Sequence, residues 1–85
     1  MRHARPADFD QLEPLLARLR GMAGLSERSR GVFCRRGRAF LHFHEDREGL
    51  FADLRTPDGL DFDRHDVTEP KGRDTLIALA AKRLG

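Results

Sequence analysis

Gly31-Val32-Phe33-Cys34-Arg35-Arg36-Gly37-Arg38-Ala39-Phe40-Leu41-His42-Phe43-His44-Glu45-Asp46-Arg47-Glu48-Gly49-Leu50-Phe51-Ala52-Asp53-Leu54-Arg55 reads as three short β-strands joined by two tight turns. Arg36-Gly37 lies between two strand-like runs, and Gly at the second position of a two-residue loop accepts the positive φ of a primed hairpin turn. The turn sets Arg35 opposite Arg38, Cys34 opposite Ala39, Phe33 opposite Phe40 and Val32 opposite Leu41. A four-residue loop over Glu45-Asp46-Arg47-Glu48 then pairs Phe43 with Leu50, Leu41 with Ala52 and Ala39 with Leu54. Side chains alternate along a strand, so this register sorts Val32, Cys34, Ala39, Leu41, Phe43, Leu50, Ala52 and Leu54 onto one apolar face. Phe33, Arg35, Arg38, Phe40, His42, His44, Phe51, Asp53 and Arg55 fall on the other. Two turns placed independently give one consistent apolar face, which a slip of one residue in either would scramble.

That face needs helices to cover it, and the chain offers one on each side. Leu12, Leu15, Leu16 and Leu19 recur at helical spacing, with Asp8 or Asp10 as N-cap and Arg18 and Arg20 suiting the C-terminal dipole. Pro14 is best tolerated in a first turn, so the helix is expected to begin close before it and end near Arg20. Met1 to Ala7 reads as a frayed tail, and residues 24–31 as a polar connection. Thr56-Pro57-Asp58-Gly59 is a turn by residue type. Leu60 to Arg64 reads as an extended edge with Leu60 and Phe62 turned inward, and His65 to Thr68 as a fourth short strand. After Pro70-Lys71-Gly72, a second helix runs from Arg73 to Leu84 with Leu76, Ile77, Ala80, Ala81 and Leu84 on one face. The expected fold is a single α+β domain over residues 1–85. It is a two-layer sandwich of order α-β-β-β-(β)-α, an antiparallel sheet with two helices on one face.

At 85 residues the core must be small. The one cysteine, Cys34, forbids an internal disulfide and a four-thiolate zinc site, which fits a reducing, cytoplasmic setting. No apolar run is long enough for a membrane helix, and basic Met1 to Pro6 lacks the hydrophobic region of a signal peptide. Sixteen basic against fourteen acidic side chains leave a net charge of +2. The signs are segregated: Arg28, Arg30, Arg35, Arg36 and Arg38 precede Asp58, Asp61, Asp63, Asp66 and Glu69. Such separation suits either a nucleic-acid face or two segments that neutralise each other.

On the second sheet face, Phe33, Phe40 and Phe51 cluster with Arg35, Arg38 and Arg55, the pairing of base stacking and phosphate neutralisation that single-strand binders use. Arg28, Arg30 and Arg36 extend its charge. The alternative is that these rings are covered, by the rest of the chain or by a second copy in a homodimer or another protein partner. His42, His44 and Asp53 could form a two-histidine, one-carboxylate metal set, but short ligand spacing of this kind is common by chance, and neither metal nor cofactor is expected. Asp58, Asp61, Asp63 and Asp66 lack the glycine an EF-hand loop needs and read as a solvated edge. No phosphate-binding glycine loop or nucleophile elbow is present, and Cys34 is expected inward as a small hydrophobe, so no enzymatic activity is expected.

Ala23-Gly24-Leu25-Ser26-Glu27, then Gly31-Val32-Phe33 and Gly37-Arg38-Ala39-Phe40-Leu41 after a helix, resembles the motif progression of the MmcQ/YjbR-like proteins over about Leu12 to Arg55. The resemblance implies a frataxin-like (CyaY-like) α/β sandwich and a DNA-binding label. Arg38 stands where the family has lysine, and the family's aromatic-rich C-terminal part is largely missing here. The leading expectation is therefore weak nucleic-acid binding through Arg28, Arg30, Arg35, Arg36, Arg38 and Arg55, with Phe33, Phe40 and Phe51 as platforms.

Overall fold

The structure is a computed structural model that describes Arg2–His3 and residues 6–85, with side chains from position 7 onward. The order is β1 (Arg2–His3), α1 (Pro6–Arg20), β2 (Ser26–Ser29), β3 (Val32–Arg35), β4 (Arg38–Asp46), β5 (Gly49–Arg55), β6 (Phe62–Asp66) and α2 (Pro70–Leu84). The fold is α+β, with an antiparallel sheet of order β2-β3-β4-β5-β6. Strand β1 pairs with β4 beyond the end of β3, Arg2 with Glu45 and His3 with His44. Of the tail expected over Met1 to Ala7, Met1, Ala4 and Arg5 lie outside the described residues. The rest of it is β1 and the start of α1.

Helix α1 runs straight through the position where Pro14 was expected to mark its first turn. Proline in a helix interior removes one backbone hydrogen bond. Here Leu12, Leu15, Leu16 and Leu19 are all essentially buried, and that burial outweighs the loss. Helix α2 likewise starts earlier than Arg73, with Pro70 in the first turn, where its missing N–H costs nothing. Gly72 belongs to that turn because a Cβ there would meet the Asp66 carbonyl oxygen at 2.1 Å. Both helices join one core cluster with Leu41, Phe43, Leu50, Ala52, Leu54 and Val67 of the sheet side.

The first hairpin turn is as the residue types predict: Arg36 and Gly37 both have positive φ, 53° and 79°. The second is tighter than expected. Asp46 pairs with Gly49, leaving a two-residue loop, and the Asp46 carboxylate accepts the Glu48 N–H at 2.8 Å. Leu41 therefore faces Leu54 and Phe43 faces Ala52, a shift of two residues that leaves both faces intact. The β3–β4 pairing carries the larger correction. Cys34 faces Ala39 but Phe33 faces Leu41, so Phe40 is an extra residue in a β-bulge. The bulge turns Phe33 into the core and sets Val32 opposite His42. Cys34 is buried, though outside the main cluster.

Two further corrections concern edges. Ser26–Ser29, expected as a connection, is strand β2. Leu60, expected inward, is 84% exposed, while Phe62 lies half-buried under the Arg55 guanidinium, 4.6 Å from its ring centroid.

Candidate functional site

The β3–β4 turn, the end of β5, the Thr56–Gly59 turn and the end of α2 meet around one cleft. Arg35, Arg36, Arg38, Arg55 and Arg83 line it, and its volume is about 190 Å³. Its other walls come from Ala39, Phe40, Thr56, Pro57 and Gly59, so among the described residues no carboxylate lines it.

Backbone carbonyls hold four of these guanidinium groups, those of Arg35, Arg38, Arg55 and Arg83. Arg35 donates to the carbonyls of Arg83 at 3.0 Å and Leu84 at 3.2 Å, at the C-terminal end of α2. Arg55 donates to Ala39 O at 2.6 Å and Gly59 O at 2.8 Å, and Arg38 reaches Gly59 O at 3.3 Å. Arg83 bonds the Arg55 carbonyl at 2.9 Å and forms an ion pair with Asp63 at 3.0 Å. Carbonyl acceptors fix orientation and carry no formal charge, and a guanidinium has more donors than these contacts use. The Gly59 carbonyl is itself set by its turn: Gly59 N–H donates to Thr56 O at 2.9 Å, and φ at Gly59 is 78°. Asp58 secures the turn by accepting from the Thr56 hydroxyl at 2.6 Å and the Leu60 N–H at 3.0 Å. The Thr56 hydroxyl, then the Leu60 amide, hold the Asp58 carboxyl below the usual carboxylate range.

Arg35, Arg36, Arg38 and Arg55 of the sequence-derived set thus come together, and the rest do not. Arg28 is exposed on edge strand β2, whose register carries it toward the Val32 end of β3, away from the turn at Arg36. Arg30 is committed to Asp10 at 3.0 Å and Glu13 at 2.9 Å and stacks over Phe9. Phe33 is fully buried and Phe40 is 4% exposed, so neither offers an open stacking face; Phe51 is half-buried. Arg83 carries no signal of its own in the sequence, because basic residues in the last turn of a helix, here Lys82 and Arg83, are ordinary partners of the helix dipole.

The sheet face turned away from Leu41, Phe43, Ala52 and Leu54 of the core holds a second group. The register places Asp53 directly opposite His42, with His44 two residues on along β4. His44 Nε2 stands 2.8 Å from Asp53 Oδ2, and Arg64 Nε stands 3.3 Å from Asp53 Oδ1. The His42 ring meets those of His44 and Phe62 edge-on, at centroid distances of 4.7 and 5.0 Å. Comparison with known families, curated proteins and solved structures finds no match to this chain.

Proposed function

We propose that this domain binds nucleic acid by taking a backbone phosphate into the arginine cleft between the Arg36-Gly37 and Thr56–Gly59 turns. The observation that carries the reading is the convergence of Arg35, Arg36, Arg38, Arg55 and Arg83 on one cleft with no lining carboxylate among the described residues. Planar, permanently charged guanidinium groups match phosphate oxygens in geometry as well as sign. Size points the same way. A cleft of about 190 Å³ is smaller than the roughly 300–1,000 Å³ that enclose a drug-sized ligand, so it suits one charged group of a longer chain. The motif resemblance to the MmcQ/YjbR-like proteins agrees with this reading. Base stacking contributes little to it, because Phe33 and Phe40 belong to the core.

Arg36 is the cleanest probe, since it is exposed in a turn and has φ of 53°, a conformation asparagine also tolerates. Fluorescence anisotropy with a labelled single-stranded oligonucleotide across a salt series tests the reading. Affinity should fall steeply with salt, and Arg36→Asn should weaken binding and reduce the log–log salt slope by about 0.7 while leaving thermal stability unchanged. Binding that is absent, or indifferent to Arg36→Asn and Arg38→Ala, would contradict it.

A further inference from the structure

Apart from the arginine cleft, His42, His44 and Asp53 on β4 and β5 form, among the described residues, a group of side chains able to hold a metal. One ligand atom from each lies within 4.8 Å of the others. We propose that these three residues bind a divalent transition-metal ion of the zinc class, leaving a fourth coordination position open. Three features support the site. Its ligands sit on adjacent hydrogen-bonded strands: His42 and His44 share a face at a spacing of two, and Asp53 is the cross-strand partner of His42. Paired strands fix the Cβ positions, so a tetrahedral set needs only side-chain rotation.

The donor set is also chemically apt. Two imidazoles and one carboxylate, with a vacant fourth position, is the ligand type of open zinc sites, and imidazole suits transition ions over calcium or magnesium. Finally, the group is sheltered: the side chains of His44 and Asp53 are 15% and 14% exposed, and Phe62 packs against His42. Shelter of this degree strengthens attraction between a cation and a carboxylate relative to open solvent.

Arg64 is the competitor. Its Nε stands 3.3 Å from Asp53 Oδ1, yet its side chain is 52% exposed and free to swing outward as a metal enters. The site therefore predicts an unusual gain: Arg64→Ala should tighten metal binding several-fold.

Titration of the whole protein with zinc chloride by calorimetry, and with cobalt chloride by absorption and amide NMR, tests the proposal. It expects one saturable site, a tetrahedral cobalt spectrum, and paramagnetic broadening centred on His42, His44 and Asp53. Asp53→Asn, close to isosteric, should weaken binding by more than about tenfold, and His65→Gln should not. The cobalt broadening is read on the unmodified chain, so it decides the matter even if a histidine variant fails to fold. No saturable binding, broadening centred on the Asp61 to Asp66 edge, or unchanged affinity in both Asp53→Asn and His42→Ala would overturn the proposal.

Discussion

Phe40 shows how one residue can redirect a functional reading. In a regular ladder it would share the outer face with His42, but the bulge places it in the core at 4% exposure, beside the fully buried Phe33. A substitution that would have probed a stacking platform or a dimer contact now probes folding. Phe40→Asp should destabilise the domain by at least about 3–5 kcal/mol, the cost of emptying a buried aromatic site, with the buried charge adding to it. Chemical denaturation read by circular dichroism checks this; a variant with wild-type stability would mean that Phe40 is not a core residue. At Arg36 the backbone and the side chain have separate roles. The side chain is exposed while the backbone occupies the left-handed region, so an Asn that satisfies the turn removes only the charge.

Among the elements, α1 tests how far packing overrides local preference. Pro14 is exposed in the interior of a helix whose four leucines are buried. Pro14→Ala restores a backbone N–H and relieves the ring, and should raise stability by up to about 3 kcal/mol. A thermal melt showing no gain would contradict an uninterrupted helix over Pro6–Arg20. The same element shows why boundaries were harder to read than types. The leucine stripe announces the helix from spacing alone, but the start depends on an energy balance between one lost hydrogen bond and buried area. The sheet behaves similarly. Alternation in β4 and β5 fixes which side chains face the core, and a two-residue change of loop length leaves that sorting untouched. The bulge carries no such signature, because Phe33 and Phe40 are apolar and fit either face. Strand β2 was invisible for a different reason: Ser26-Glu27-Arg28-Ser29 is an edge strand with no apolar alternation.

In the molecule as a whole, charge is divided between a neutralised region and an uncompensated one. Glu13, Glu27, Arg20 and Arg30 form a network joining α1 to β2 and its following turn: Arg20 pairs with Glu27 at 2.6 Å and with Glu13, and Glu27 also accepts the Gly31 N–H at 3.0 Å. The Arg20 guanidinium holds the Glu27 carboxyl below the usual glutamate range, with the Gly31 amide assisting against partial desolvation. A carboxyl lowered by folding stabilises the native state above its unfolded value of about 4.3, and that contribution is lost as pH falls through the lower folded value. Acid titration of stability should therefore show a loss beginning below about pH 4.3, reduced in Glu27→Gln; an identical acid profile in the variant would contradict the network's role. Among the described residues, the arginines of the cleft have no such partners except Asp63 on Arg83. This division is what sequence could only half reveal: the run of arginines from Arg28 to Arg38 is plain and the strand register brings in Arg55, but the fold assigns Arg30 to α1 and recruits Arg83 from a distant segment. Among the described residues no helix is long and apolar enough to cross a membrane. An amide-shift map of the labelled protein titrated with short single-stranded DNA tests the arginine cleft directly. The arginine cleft predicts shifts concentrated at Arg35 to Arg38, Arg55 to Gly59 and Arg83; no shifts, or shifts centred on Arg28 and Arg30 with the cleft silent, would contradict it.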